Sequence, residues 1–322
     1  MSAPHVVVVG DVAVDVRVEP AGPPAPGGDT AARIRRGPGG AGANTAAWLA
    51  HLGATATLVA RVGDDDAGRT AQARLRTAGV RTRLAVDPDA PTCTVVVVLA
   101  GSGSGRDRTM YSDRGAAALL RPSDLPAGLL DEADHLHVSG YLLADPGSRA
   151  AGLAALEAAR ATGVSTSVDP QGTSVPSAWG PVDLLLPNAA ELHALTGSAD
   201  PAAAVALLDR AGAVAVTRGP AGAAWVDRTG RWEVPAVPAT VVDPTGAGDA
   251  FDAGLVLARL RGAAPERALA AGCTAAAAAV GTVGGRPVAD PAQPPAARGS
   301  HGSGSAPPGP ARGGWSGTPT PR

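Results

Sequence analysis

Short, uninterrupted apolar runs punctuate the first two thirds of the chain. Residues 6–9 are four consecutive valines that end at Gly10-Asp11, and comparable runs recur at 57–62, 135–138, 164–168, 184–186 and 214–217. A run with no polar alternation fits a strand covered on both faces, as in a parallel sheet. Between the runs lie alanine-rich stretches with helical spacing, such as 44–52 and 149–162. The alternation predicts a doubly wound α/β domain, whose ligands bind beyond the carboxyl ends of its strands.

Two stretches break this rhythm. Residues 12–36 are rich in proline and glycine and partly alternating, and 92–112 reads as two strands around the glycine-rich turn 101–105. Together they predict a small accessory sheet, a β lid over one edge of a main domain spanning 1–288. From 289 to 322 the chain is Pro, Gly, Ser, Ala and Arg with no apolar period, the composition of a disordered tail.

Charge and composition narrow the chemistry. The formal net charge of -2 over 322 residues provides no basic field for nucleic acid or for an anionic membrane, so a small molecule is the expected partner. The chain opens on a strand-like segment without a basic leader, and no apolar run approaches the roughly 20 residues of a membrane span, so a cytoplasmic location is expected. Cys93 and Cys273 lack metal or redox spacing and fit a reducing compartment. All 27 basic residues are arginine. Without lysine, neither a P-loop nor a protein-kinase site can be built, and Schiff-base chemistry is excluded as well. Any phosphate must be held by helix N-termini, arginine or a metal ion.

The chemistry concentrates in Val241-Val242-Asp243-Pro244-Thr245-Gly246-Ala247-Gly248-Asp249-Ala250-Phe251. A short strand is expected to lead into a turn capped by Thr245, and a helix then runs to about residue 260, with Gly262 as its stop. Gly246, Ala247 and Gly248 put free amides and the positive helix end where an anion can approach. Asp249, in the first turn, can accept a proton from an attacking hydroxyl. An isolated aspartate there more often just offsets the helix dipole. A cap, three small residues and an acid within one turn exceed what capping requires.

Other patterns weigh less. The match of residues 37–42 to GxGxxG follows a charged segment rather than a buried strand and is set aside as a dinucleotide motif. His135 and His137 share one face of a strand, lack a third metal ligand, and read as strand residues near a sheet edge. Asp64, Asp65 and Asp66 read as an exposed charged turn. Arg114 meets a substrate anion, or pairs with Asp113 or solvent.

Residues 243–249 resemble the C-terminal signature of the ribokinase-like, or PfkB, carbohydrate kinases, and the likeness extends over about residues 5–288. Gly39-Gly40-Ala41-Gly42-Ala43-Asn44 is similar to the family's substrate loop, residues 62–68 to its following turn, Asn188-Ala189-Ala190-Glu191 to its NxxE, and residues 217–222 to its T-x-G-x-x-G loop. The resemblance implies an α/β/α sandwich with a mainly parallel central sheet and a β lid, and ATP-dependent phosphorylation of a sugar hydroxyl with Mg²⁺. It makes Asp249 the base and Gly246, Ala247 and Gly248 the anion hole. Asp15, Gly39, Gly40, Asn44 and Arg114 become substrate residues. Asn188, Glu191, Thr217, Gly219 and Gly222 border the nucleotide, with Glu191 reaching Mg²⁺ through water. Asp243 becomes a candidate ligand for a monovalent cation such as K⁺, and the lid a candidate homodimer surface. Two alternatives remain open: a nucleoside kinase, disfavoured by only eight aromatic residues, and a sugar-binding pseudokinase.

Overall fold

The valines of the first apolar run are all fully buried, and they divide by parity. Val7 and Val9 join one apolar cluster with Leu142, Leu156 and Val168, while Val6 and Val8 join another with Leu49, Ala250 and Leu257. A strand with a core on each face belongs to the middle layer of a sandwich. The computed structural model describes residues 3–23, 26–100, 107–172 and 179–287. The expectations for the 101–105 turn and for the 289–322 tail lie outside the described residues.

In chain order the elements are β1 (His5–Val9), β2 (Ala13–Pro20), β3 (Ala32–Gly39), α1 (Ala41–His51), β4 (Thr55–Gly63), α2 (Asp66–Thr77), β5 (Arg81–Asp87), β6 (Cys93–Ala100) and β7 (Asp107–Asp113). They continue with β8 (His135–Ser139), α3 (Gly140–Ala144), α4 (Arg149–Thr162), β9 (Ser165–Asp169), β10 (Val182–Leu185), α5 (Ala189–Thr196), β11 (Ala211–Thr217), β12 (Ala223–Asp227), β13 (Gly230–Val234), α6 (Ala247–Leu260) and α7 (Pro265–Val280).

The central sheet runs β13-β12-β11-β10-β9-β8-β1-β4-β5. Its strands pair in parallel from β5 to β11, and the β12–β13 hairpin closes one edge antiparallel. After β1 the chain first builds the β4–β5 side and then returns to add β8 against the other side of β1. That reversal is a topological switch point, where a crevice opens at the strand ends.

The two irregular stretches form a separate sheet of order β3-β2-β6-β7. Residues 32–36 of β3 are exposed, so the GxGxxG match lies at the end of a lid strand and opens no dinucleotide fold. Thr92, at the entry to β6, donates from its amide and hydroxyl to Asp65, which also accepts from the Gly68 amide and caps α2. Asp65 is therefore a structural anchor, while Asp64 and Asp66 form the exposed charged turn by pairing with Arg69.

His135 and His137 do not lie near a sheet edge. Strand β8 sits in the middle of the sheet, between β1 and β9, and both imidazoles are buried and bonded to Ser167 Oγ, at 2.7 and 2.9 Å. Burial lowers both pKa values to about 3, so the rings are neutral packing groups.

Candidate active site

Helix α6 begins where the loop after β13 turns back toward the sheet. Val241 and Val242 are exposed and irregular, so the expected short strand before the turn is absent; Val242 and Asp243 hang instead by their amides on the Val280 carbonyl at the end of α7. Thr245 is not the cap either. Its amide and hydroxyl both donate to Asp243 Oδ1, at 3.0 and 2.7 Å, and the N-cap position is Gly246, with no capping side chain. The other carboxylate oxygen of Asp243 accepts from the Gly284 amide at 2.9 Å and from Arg17 Nη1 at 2.5 Å. Burial opposes the charge on Asp243, and these donors hold its pKa below the ordinary value.

Gly246 has φ +74°, and a Cβ there would come within 2.4 Å of the Gly285 α-carbon. Only glycine lets the two loops touch. At Gly248 a Cβ would meet nothing within 4 Å, because that side faces the cleft. Gly246, Ala247 and Gly248 line the cleft at the uncapped start of α6, where a helix N-terminus favours an anion, and the Ala247 amide makes a long bond of 3.4 Å to the Pro244 carbonyl.

Asp249, in the first turn of α6, is 8% exposed. Asn44 Nδ2 donates to its Oδ2 at 2.9 Å, and Gln171 Nε2 lies 3.4 Å from its Oδ1. Burial raises the Asp249 pKa to about 7; Asp11 and Asp15 push in the same direction and the Asn44 hydrogen bond opposes them. A carboxyl group that changes charge near neutrality suits proton transfer.

A cleft of about 540 Å³ surrounds this group at the switch point. Of the sequence-predicted residues, Asp15, Gly40, Asn44, Arg114, Asn188, Glu191, Thr217 and Gly219 line it together with Gly246, Ala247, Gly248 and Asp249. Gly39 lies just behind, where a Cβ would collide with the Asp15 carboxylate. Gly222 is outside the lining; it has φ +84° and packs against the Val234 carbonyl, shaping the turn after β11.

Several residues have contacts that the sequence conceals. Arg114 Nη1 bonds Asp11 Oδ2 at 3.0 Å, and its guanidinium covers the Tyr141 ring at 4.7 Å, so its carboxylate partner is Asp11 and not Asp113. Asn188 and Glu191 form a reciprocal capping box on α5: Asn188 Oδ1 accepts from the Ala190 and Glu191 amides, and Glu191 Oε2 accepts from the Asn188 amide. Glu191 Oε1 reaches across to the Gly172 amide at 2.8 Å. The box fixes the glutamate at the cleft wall.

Asp169, at the end of β9, and Asp252, one turn after Asp249, complete an acidic wall with Glu191. Burial first, and then neighbouring carboxylates, raise both aspartates well above the ordinary range. Asp252 is 2% exposed, and its Oδ2 has no hydrogen-bond partner. Such a wall fits a hydrated divalent cation, which would relieve the mutual repulsion. Among the described residues no three His, Cys, Asp or Glu side chains converge to bind a metal directly, so contact through water fits better. Gln171, with φ +49°, is the one described non-glycine residue at positive φ; its Oε1 accepts from Ser139 Oγ at 2.6 Å while its Nε2 faces Asp249. Backbone strain of this kind concentrates at functional sites. Asp252 could have been found as the i+3 neighbour of Asp249 on one helix face, whereas Asp169 and Gln171 carried no signal beyond their strand end.

Comparison with known proteins places these features. The family description "pfkB family carbohydrate kinase" matches residues 3–292. A fructokinase from Klebsiella pneumoniae is 33% identical over 292 residues, covering 83% of this chain and 91% of that protein. Among solved structures, adenosine kinase from Sinorhizobium meliloti has TM-score 0.79 at 25% identity, covering 90% of this chain and 97% of its own. Arabidopsis thaliana ribokinase complexed with ribose and ATP has TM-score 0.75 at 26% identity, covering 89% and 96%. The lidded sandwich agrees with these likenesses, and the chain belongs to the pfkB family of carbohydrate kinases, phosphotransferases that act on an alcohol group.

Proposed function

We propose that the protein transfers the γ-phosphoryl group of ATP to a hydroxyl of a free ketose or aldose, with Asp249 as general base. The observation that carries this reading is the position of Asp249. It is buried, has its pKa raised to about 7, and directly follows Gly246, Ala247 and Gly248, which line the cleft at the uncapped start of α6. A hydroxyl beside it can pass its proton to Asp249 as the oxygen attacks, while the amides at the start of α6 stabilise the negative charge on the transferring group. Asp15, above Gly39 on lid strand β2, accepts from neighbouring hydroxyls of the acceptor, and Gly40 and Asn44 form the floor beneath it.

Sugar kinases of this family use ATP with Mg²⁺. Glu191, Asp169 and Asp252 would hold the hydrated ion, whose charge offsets that of the phosphates. Thr217 and Gly219 border the nucleotide at the end of β11.

A sugar is favoured over a nucleoside because, among the described residues, Tyr141 is the only aromatic one lining the cleft, and the Arg114 guanidinium covers one face of its ring. One of its two faces is therefore taken, which leaves little aromatic surface on which a nucleobase acceptor could stack. The fructokinase relative supports a ketose, and the ribose-bound neighbour supports a pentose. The deciding experiment measures kcat/KM for fructose, ribose, a sugar acid and adenosine by coupled ADP release, with Asp15→Ala alongside. A free sugar should be the best substrate, and Asp15→Ala should lose about 1–3 kcal/mol of transition-state binding. Adenosine as the best substrate, or an unimpaired Asp15→Ala enzyme, would overturn the assignment.

A further inference from the structure

A carboxylate offers about four acceptor positions, and at Asp243 all four are taken by protein donors. Oδ1 receives the Thr245 amide and hydroxyl, and Oδ2 receives the Gly284 amide and Arg17 Nη1. The Asp243 side chain is 6% exposed and that of Arg17 20%, so their ion pair is largely withdrawn from water. A metal ion at Asp243 would need a free lone pair on the carboxylate and room for its own charge beside the guanidinium. The surroundings provide neither. The residues do not fit the monovalent cation that the sequence resemblance implies.

Arg17 comes from the lid, 226 positions before Asp243. It stands two residues after Asp15 on β2, and period-two alternation places both side chains on one face of that strand. Glu19, two residues further, holds the Arg17 Nε at 3.3 Å. One face of a single lid strand therefore carries the acid that meets the acceptor and the cation that grips the loop at the start of α6. Docking that face brings both into place together.

We propose that Arg17 is the built-in cation of the anion hole: its guanidinium holds the 243–248 loop in place of a monovalent ion, so that closure of the lid, and not potassium, organises the site. The proposal rests on the kinase reading for its kinetic consequence, and on Asp243 geometry alone for its structural one.

The test uses the full chain in potassium, caesium and choline chlorides at matched ionic strength, with melting temperature and sugar-dependent ADP release as readouts. The wild-type protein should give the same melting temperature and turnover in all three salts, and Arg17→Lys, which keeps the charge, should behave likewise. Arg17→Met should lose on the order of 10²-fold in kcat/KM in choline, the scale of a misplaced site, and potassium should restore part of that loss and raise its melting temperature. If Arg17→Met does not fold, Arg17→Gln serves in its place with the same expectation. Wild-type turnover or melting temperature that rises with potassium over choline overturns the proposal. So does an Arg17→Met or Arg17→Gln variant that is fully active in choline, or one that potassium does not restore. If no sugar supports ADP release in any salt, the kinase reading fails, and the melting temperatures still decide whether Asp243 binds a cation.

Discussion

Asn44 and Asp249 lie 205 positions apart in the chain and meet at 2.9 Å, carboxamide Nδ2 to carboxylate Oδ2. The contact joins the first turn of α1, after the glycine-rich end of β3, to the first turn of α6, after the 243–246 loop. Asn44 Oδ1 in turn faces Arg286 Nε at 3.4 Å, so the carboxamide has a fixed orientation. The base is positioned from the acceptor side of the cleft as well as from its own helix.

The raised pKa of Asp249 sets the pH dependence of turnover. Below about 7 the carboxyl group is protonated and cannot accept the hydroxyl proton. kcat/KM for the sugar, which reports the groups of the unliganded site, should therefore rise with pH through a midpoint near 7. A rate already flat from pH 5 upward would separate the rate from this group.

Removing the Asn44 contact should move that midpoint. The hydrogen bond favours the charged carboxylate, and bonds to charged groups contribute about 1.5–3 kcal/mol, or roughly one to two pH units. Asn44→Ala should shift the kcat/KM profile upward by about one pH unit or more and lower kcat/KM at pH 7. The pH profile separates this from a purely structural loss, which would reduce the rate equally at every pH.

The same burial costs stability. The folded-state pKa of Asp249 lies above its ordinary 3.8, so its stabilising contribution is complete below 3.8 and is lost as pH rises through about 7. Asparagine can still accept from Asn44 and carries no charge. Asp249→Asn should therefore be more stable than wild type at pH 8 and lose the advantage toward pH 4. At about 1.4 kcal/mol per pH unit, the gain has an upper bound of roughly 4 kcal/mol. Urea denaturation at the two pH values measures it.

Gly246→Ala introduces a Cβ within 2.4 Å of Gly285 at a backbone φ of +74°. The strained conformation alone costs about 1–3 kcal/mol, and separating the two loops displaces the amides of the anion hole. Both the denaturation midpoint and kcat should fall, with KM for the sugar less affected.

The layered fold was legible because buried parallel strands are written as unbroken apolar runs, and the lid because its alternation and its Gly/Pro content break that pattern. The place of β8 was not legible. Whether a strand is central or at an edge depends on which strands flank it, and His135 bonds Ser165 and Ser167, and His137 bonds Ser167 through Nδ1, on a neighbour that the local sequence does not name. The place of Asp249 and its glycines at the start of a helix is legible because that pattern is local to one helical turn. Thr245 was misplaced as a cap because its hydroxyl turns back to Asp243, a competition for one donor that spacing cannot resolve. Arg17 carried no signal, since a charged residue alternating along a lid strand looks like a solvated face until its distant partner is known.

The account depends most on Asp249, and the most direct test compares sugar-dependent ADP release by wild-type protein and Asp249→Asn at pH 8, with saturating Mg-ATP and the best sugar from the panel. Loss of a positioned base should lower kcat by roughly 10²- to 10⁴-fold, while the circular dichroism spectrum and the affinity for the sugar remain those of wild type. An Asp249→Asn protein that turns over at close to the wild-type rate would contradict the account.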